Sequence, residues 1–177
     1  MVEVVEKKGD MQQSQGLKIV MTGVSGCGKS LMGSKLAERL AIPFFDGDDF
    51  HSDANIQKMQ TGTPLTDADR AGWLTCLNRL LGEHRSMVLA CSALKPEYRE
   101  QLKAGGNDLV FVYLKGDFDT IWARHQARAG HYFNGQEMLK SQFDALQPPS
   151  EGEAIVMDIR LSPEALLDQL CEQLGKR

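Results

Sequence analysis

Residues 23–30 read GVSGCGKS and match the spacing GxxxxGK[ST]. Glycine at three of these positions lets the backbone curl until its N–H groups point inward at phosphate oxygens. In this motif the ammonium group of Lys29 reaches the outer phosphates, and the hydroxyl of Ser30 binds Mg²⁺. An apolar run, LKIVMT, precedes the motif, and an amphipathic run at 30–40 follows it. Strand, turn and helix in this order predict a P-loop that binds a nucleoside triphosphate.

Contacts to the nucleotide are expected along most of this loop. The predicted nucleotide-binding positions are Gly23, Ser25, Gly26, Cys27, Gly28, Lys29 and Ser30. A loop of this kind serves motors, switches and small-molecule kinases alike, so it does not define the reaction. Because a chain of 177 residues leaves little room for a motor's coupling apparatus, a small kinase and a guanine-nucleotide switch remain.

Short apolar runs alternate with longer amphipathic ones along the rest of the chain. Several apolar runs are continuous, as expected of parallel strands that are covered on both faces. This alternation predicts an α/β fold with three layers, α/β/α, around a central parallel five-stranded sheet. The predicted strands are 17–22, 43–45, 87–91, 109–114 and 155–159, and the main predicted helices are 30–40, 66–81, 96–104, 118–129, 136–146 and 163–174.

Composition favours a single cytoplasmic domain. Residues 1–16 are polar and are expected to form a flexible N-terminal tail before one domain at 17–177. The net charge of −4 argues against nucleic acid as a partner, and no apolar run approaches the roughly 18 residues of a membrane span. Four widely spaced cysteines predict no zinc or redox motif and are typical of reduced thiols in a cytosol.

Four aspartates lie in FDGDDFHSDANIQKM, residues 45–59, directly after the second predicted strand. A metal cage, a solvated loop or a pocket for a substrate with many hydroxyls would explain such a stretch. Asp46 and Asp48 flank Gly47, and in an extended segment their side chains share one face. A carboxylate there can accept the proton of an attacking hydroxyl. We expect Asp48 to contact that hydroxyl and Asp46 to contact the water shell of Mg²⁺.

Three polar residues follow at helical spacing in the same stretch. His51, Asn55 and Lys58 would share one face of a helix. A single histidine with no cysteine nearby argues against zinc. Neutral donors and acceptors with one cation instead fit a polyol that carries an anion, although a solvated helix surface would have the same composition.

Further candidates for the acceptor region, about residues 46–82, lie in the next elements. Arg70 opens the predicted helix that starts with TDAD, a capping-box pattern, and is expected to bind a carboxylate or to pair with Asp67 or Asp69. Ser92 and Lys95 follow the third predicted strand at the same sheet edge. They are expected to contact the same substrate, since ligands of parallel sheets gather at the carboxyl ends of the strands.

No acidic residue occurs at 120–136, which is unusual in an acidic protein. A glycine-flanked loop, GHYFNG at 130–135, interrupts the predicted helix there. The pattern predicts a small helical lid, about residues 124–140, that closes over the nucleotide, excludes water and brings an arginine to the transferring phosphoryl group. The basic residues of this segment are Arg124, His125, Arg128 and His131.

Five stretches together resemble gluconokinases of the small P-loop type. They are GVSGCGKS, DGDDFHSDANIQKMQTGTPLTDADRAGWL, CSALK followed by Tyr98 and Arg99, YLKGDF, and ARAGHYFNGQEMLKSQFDALQPP. The resemblance covers residues 17–174 and implies a P-loop kinase fold similar to that of shikimate kinase. It also implies ATP and Mg²⁺ as cofactors, transfer of phosphate to the 6-hydroxyl of D-gluconate, and a homodimer.

The resemblance also assigns residue roles. It implies that Lys29 contacts the phosphates, that Asp48 is the base and that Arg128 is the catalytic arginine of the lid. It implies that Arg124 stacks on adenine, with Arg160 or Pro163 on the other side of the ring. Contacts to gluconate are assigned to Asp48, His51, Arg70, Ser92 and Lys95. Cys27 stands where the family commonly has serine.

Two other functions remain open from the sequence. The first is a kinase of the same fold that phosphorylates another small hydroxylated acid, such as shikimate. The second is a nucleotide-dependent switch or binding module with no acceptor. The absence of an NKxD stretch, which would recognise guanine, argues against a GTPase switch.

Overall fold

The structure is a computed structural model that describes residues 16–127, 135–150 and 152–176. The predicted tail at 1–16 lies outside these residues except for Gly16, as does most of the loop predicted at 130–135. The strands are β1 (Lys18–Thr22), β2 (Phe44–Asp46), β3 (Met87–Ala90), β4 (Leu109–Lys115) and β5 (Ala154–Asp158). The α-helices are α1 (Lys29–Leu40), α2 (Asp53–Gln60), α3 (Asp67–Glu83), α4 (Pro96–Lys103), α5 (Phe118–Ala127), α6 (Gly135–Ala145) and α7 (Pro163–Gly175).

The five strands form one parallel sheet in the order β2-β3-β1-β4-β5. Strand β1 is central, with Lys18 beside Met87 of β3 on one side and beside Leu109 of β4 on the other. This arrangement confirms the predicted α/β class and the predicted strands. The loops after β1 and β3 leave from adjacent strand ends, which is where ligands bind in sheets of this kind.

Both faces of the sheet are buried, as the continuous apolar runs predicted. In β1, Ile19 and Met21 belong to the core on the side of α1, α5, α6 and α7. Val20 belongs to the core on the side of α3 and α4. Neighbouring strand residues point to opposite faces, so each fully buried aliphatic side chain contributes about 1.5–3 kcal/mol to one of two separate cores. These two helical layers hold the carboxyl ends of the strands in fixed positions.

The start of α3 follows the predicted capping box. The Thr66 hydroxyl accepts from the Asp69 amide at 3.2 Å, and the Asp69 carboxylate accepts from the Thr66 amide at 2.8 Å. Each bond satisfies a backbone donor that the first helical turn leaves free. The prediction of this cap from TDAD is therefore confirmed.

The segment after β2 differs from the sequence prediction. Residues Gly47–Phe50 form a 3₁₀ turn in place of an extended segment, because the Asp46 carboxylate accepts the Asp48 amide at 3.0 Å. Helix α2 then begins behind Ser52, whose hydroxyl accepts the Asn55 amide at 3.2 Å. Two short-range side-chain caps therefore fold this polar stretch into compact structure.

Within the described residues, no helix is both long and apolar enough to cross a membrane.

Candidate active site

The loop at 23–30 wraps around the carboxyl end of β1. Gly26 and Gly28 have φ angles of +82° and +101°, which side chains rarely adopt, and Gly28 precedes the first turn of α1. The Lys29 ammonium donates to the Val24 carbonyl at 3.1 Å, across the loop. Backbone amides at the N-terminus of α1 and one lysine are therefore gathered at one point, as phosphate binding requires.

Two helices beyond the sheet contact this loop through Ser25. Gln142 of α6 accepts from the Ser25 amide at 2.5 Å. The Nε2 atom of His125, in α5, lies 3.1 Å from the Ser25 carbonyl oxygen. A carbonyl oxygen can only accept, so this nitrogen carries a proton. A Cβ atom at Gly26 would overlap the His125 ring, so the close approach of α5 depends on glycine at this position.

Ser30 and Asp46 connect the loop to the end of β2. The Ser30 hydroxyl donates to Asp46 Oδ2 at 2.6 Å, while Oδ1 of the same carboxylate accepts the Asp48 amide at 3.0 Å. A hydroxyl and a carboxylate side by side match the sparse protein ligation of Mg²⁺, which keeps several waters and binds substrate phosphates. Among the described residues, no group of three or more His, Cys, Asp or Glu side chains forms a metal cage. These observations fit the predicted contacts of Ser30 and Asp46 and argue against the metal cage.

Asp48 lies in the 3₁₀ turn, so the predicted shared face of an extended segment is wrong for Asp46 and Asp48. Both carboxylates nevertheless line one cleft. The Asp48 side chain is 80% exposed because it opens into this cleft. Partial loss of water around it raises the pKa of its carboxyl above the usual range, and the positive charge of Lys29 opposes that shift.

The cleft has a volume of about 610 Å³ and lies between the loop at 23–30, the segment after β2, α3 and α6. A volume of this size suits a small ligand together with part of a nucleotide. One wall is apolar and includes Ile56, Met59 and Leu65. The polar side chains that line the cleft include Lys29, Ser30, Asp46, Asp48, His51, Arg70, Ser92, His125 and Gln142.

Trp73 fixes the shape of the cleft beside Asp48 and His51. Its indole N–H donates to the Gly47 carbonyl at 2.7 Å, and its ring stacks on His51 with centroids 4.2 Å apart and planes at 16°. A Cβ atom at Gly47 would lie 2.6 Å from the Ala90 carbonyl oxygen, so only glycine lets the turn approach β3 this closely. The turn that carries Asp48 is therefore held from two sides.

Arg70, in α3, contributes a cation to the lining of the same cleft. Its Nη1 donates to the Leu65 carbonyl at 2.6 Å and lies 3.3 Å from the Tyr98 hydroxyl, while its guanidinium lies 5.5 Å from the centre of the Tyr98 ring. The predicted ion pair with Asp67 or Asp69 is not formed: Asp67 binds Lys95 and Tyr98, and Asp69 binds Lys58. Among the described residues, no carboxylate lies within 4.0 Å of Arg70. A half-buried guanidinium that has no carboxylate partner is suited to an anionic ligand.

Known proteins resemble this chain along most of its length. The chain matches the family model described as Shikimate kinase over residues 25–174. Thermoresistant gluconokinase of Escherichia coli (strain K12) is 43% identical over 163 residues, which cover 89% of this chain and 93% of the relative. The chain belongs to the gluconokinase family.

Two solved structures of similar sequence have the same fold as this chain. A gluconokinase from Sinorhizobium meliloti 1021 matches with a TM-score of 0.80 and 36% identity, over 91% of this chain and 97% of that chain. An unliganded sugar kinase from Janibacter sp. HTCC2649 matches with a TM-score of 0.84 and 35% identity, over 90% of this chain and 95% of that chain. The gluconokinase family thus shares both the sequence and the architecture of nearly the whole chain.

Some residues that were predicted to bind gluconate do not line the cleft. Lys95 donates to Asp67 at 3.1 Å and is not among the residues that line the cleft. Lys58 donates to both oxygens of Asp69, and Asn55 is buried and does not line the cleft. The predicted face of His51, Asn55 and Lys58 therefore presents only His51 to the cleft, because the other two join α2 to the start of α3.

The residues predicted to hold adenine lie together at the carboxyl end of β5. The Arg124 guanidinium donates to the Ile159 carbonyl, and Arg160 pairs with Asp158 at 2.7 Å. Pro163 opens α7 just beyond them. None of the three predicted residues lines the cleft described above. Arg128, the predicted lid arginine, lies outside the described residues.

Two residues that build the cleft were not predicted from the sequence. Trp73 bonds to a carbonyl 26 residues away, and Gln142 bonds to an amide 117 residues away. No local motif marks such distant contacts. For Trp73, its position one helical turn from Arg70 is a signal that would have placed it on the same face of α3.

Proposed function

We propose that this chain transfers the γ-phosphoryl group of ATP to the 6-hydroxyl of D-gluconate, giving 6-phospho-D-gluconate and ADP. The main support is that Lys29, Ser30, Asp48 and Arg70 line one cleft. Arg70 has no carboxylate partner there among the described residues. Relatives named gluconokinase, at about this chain's length, support gluconate as the acceptor.

Asp48 is the proposed base of this reaction. The 6-hydroxyl oxygen forms a bond to the γ-phosphorus, the bond from that phosphorus to the β–γ bridging oxygen breaks, and the hydroxyl proton goes to the Asp48 carboxylate. Lys29 contributes positive charge beside the phosphates. Ser30 would hold Mg²⁺ directly and Asp46 would hold it through water, which would supply positive charge beside the phosphates.

Arg70 is the proposed ligand of the gluconate carboxylate. A guanidinium offers parallel N–H donors that match a carboxylate, and its attraction is strongest where water is excluded. His51 and Ser92 line the same cleft and are proposed to bind gluconate hydroxyls. Lys95 stays a weaker candidate, because its ammonium already binds Asp67.

The remaining roles concern the nucleotide and the lid. Contacts from the loop residues Gly23, Ser25, Gly26, Cys27 and Gly28 to the phosphates are part of this proposal. We further propose that Arg124 and Arg160 or Pro163 enclose adenine, and that Arg128 reaches the transferring phosphoryl group. A homodimer is proposed from the family resemblance. A cytoplasmic location is proposed from the widely spaced thiols, which are unpaired within the described residues.

A shikimate-type acceptor is the alternative, because the matching family model is described as Shikimate kinase. Both acceptors are hydroxylated acids, and both would use Arg70 for the carboxylate. The experiment that separates them is ADP release with a panel of gluconate, shikimate, related sugar acids and the neutral polyol sorbitol. We expect gluconate to give the highest kcat/KM. A higher value with shikimate, or ADP release that no acceptor stimulates, would overturn the proposal.

A further inference from the structure

Asn55 is a polar side chain in the first turn of α2, and it is only 5% exposed. Its Nδ2 atom lies 2.9 Å from the Asp69 carbonyl oxygen. That oxygen can only accept a hydrogen bond, so Nδ2 must be the donor and the two ends of the Asn55 amide are not interchangeable. The orientation of this amide is therefore determined by its environment.

The second hydrogen on Nδ2 points to a histidine. His51 Nδ1 lies 3.3 Å from Asn55 Nδ2, and an amide nitrogen cannot accept a hydrogen bond. Nδ1 must therefore be the unprotonated nitrogen of the ring. A neutral imidazole carries one proton, so the proton of His51 lies on Nε2.

The protonated nitrogen is on the side of the proposed base. His51 Nε2 lies 3.9 Å from Asp48 Oδ1, which is longer than a hydrogen bond. The gap is short enough for one hydroxyl oxygen to contact both atoms, accepting from His51 and donating to Asp48. Stacking on Trp73 holds the His51 ring in this orientation, and the His51 side chain is only 4% exposed.

Burial favours the neutral ring of His51, against the charge of Asp48. Burial lowers the pKa of His51, the charge of Arg70 lowers it further, and the charge of Asp48 raises it; the shift is downward. A charged ring would also place an N–H of Nδ1 against the N–H of Asn55. Both effects keep the imidazole uncharged, so that it does not form a direct ion pair with Asp48.

We propose that Asn55 is a positioning residue that holds His51 as the neutral tautomer protonated at Nε2, and that this N–H donates to the same hydroxyl whose proton Asp48 accepts. The inference rests on the function proposed above and adds a second partner for the reacting oxygen. Donor and acceptor on one hydroxyl restrict its rotation and direct its lone pair at phosphorus.

The tautomer is tested by nitrogen NMR of the full chain labelled at its histidines. With four histidines in the sequence, the His51 signals can be assigned from their loss in His51→Gln. We expect Nε2 protonated and Nδ1 unprotonated at neutral pH. A protonated Nδ1 in the unchanged chain would overturn the proposal, whether or not gluconate is the acceptor.

The role of Asn55 is tested by Asn55→Asp, whose carboxylate accepts from Nδ1–H and so favours a proton there. We expect protonation of Nδ1 at neutral pH and a fall in kcat of roughly tenfold or more, with the KM for ATP unchanged. Asn78→Asp is the matched control, because Asn78 Nδ2 also donates to backbone carbonyls, those of Gln101, Leu102 and Ala104, but away from the cleft.

A double-mutant cycle with His51→Gln separates positioning from general damage. If Asn55 acts through His51, Asn55→Asp lowers kcat much less in the His51→Gln background than alone. Equal effects in both backgrounds, or an effect no larger than that of Asn78→Asp, would overturn the proposal. If Asn55→Asp does not fold, Asn55→Ala replaces it in the cycle. Failure of the unchanged chain to phosphorylate gluconate would instead reject the proposed function, and the NMR spectrum would still decide the tautomer.

Discussion

The proposed donor half of the cleft is one continuous loop at 23–30, whereas the proposed acceptor half takes Asp48 and His51 from the segment after β2, Arg70 from α3 and Ser92 from the loop after β3. In the loop, glycine φ angles and amides near the start of α1 supply most of the proposed phosphate site from the backbone, and Lys29 adds one side-chain charge. In the acceptor half, side chains create the site, and buried partners such as Trp73 and Asn55 orient them. A backbone site is general for phosphates, while a side-chain site selects one acceptor. Changes in the two halves should therefore have separable kinetic effects.

The largest expected effect is that of Asp48→Asn in the acceptor half. Removing the base should lower kcat by roughly 100- to 10,000-fold, because general-base catalysis contributes about that much. Nucleotide affinity, measured by calorimetry, should change little, since the loop at 23–30 remains intact. Asp49→Asn is the control, because Asp49 is exposed and does not line the cleft. Comparable turnover in Asp48→Asn and Asp49→Asn would contradict the assignment of the base.

Arg70→Met should affect the acceptor and leave the nucleotide alone. Loss of a charge-assisted bond to a carboxylate should raise the KM for gluconate roughly 10- to 100-fold. Discrimination between gluconate and sorbitol should fall as well, because sorbitol has no carboxylate. Arg79→Met, at an exposed position on the same helix, is the control. An unchanged ratio of kcat/KM for gluconate and sorbitol would show that Arg70 does not bind the carboxylate.

Gly26→Ala should affect the nucleotide and leave the acceptor alone. Its φ of +82° is strained for alanine, and the new Cβ would displace His125 from the loop. We expect about a tenfold rise in the KM for ATP, which corresponds to part of that strain, and little change in the KM for gluconate. Gly82→Ala in α3 is the control, since its Cβ meets nothing within 4 Å. A change confined to the KM for gluconate would break the separation of the two halves.

The smallest expected effect is on stability rather than kinetics. The hydrogen bonds from Lys58, and then the Thr66 amide, lower the pKa of Asp69 to about 2. Because this value lies below the ordinary one of about 3.9, ionised Asp69 stabilises the folded chain above about pH 4, and that contribution is lost as the pH falls through about 2. Denaturant titrations should show the free energy of unfolding falling more steeply over this range in the unchanged chain than in Asp69→Asn. Parallel pH curves for the two proteins would contradict the prediction.

Much of the donor half could be predicted because its determinants are adjacent in sequence. The spacing of Gly23, Gly26, Gly28 and Lys29 acts within a few residues, and so does the predicted TDAD cap at Thr66 outside the donor half. The extended shape expected for 46–48 was wrong, because the Asp46 side chain competes for the Asp48 amide and closes a 3₁₀ turn. Side-chain caps of this kind override the tendency of a strand to continue.

By itself, the sequence determined the phosphate loop, the alternating order of strands and helices, and the set of polar residues at the strand ends. Only the tertiary structure decided which of these residues face the cleft. It placed Lys58 and Lys95 on Asp69 and Asp67, so that Arg70 lacks a carboxylate partner among the described residues. The physical reason is that a backbone loop depends on local torsion angles, whereas ion pairs and ring orientations depend on groups that meet only when distant segments pack together.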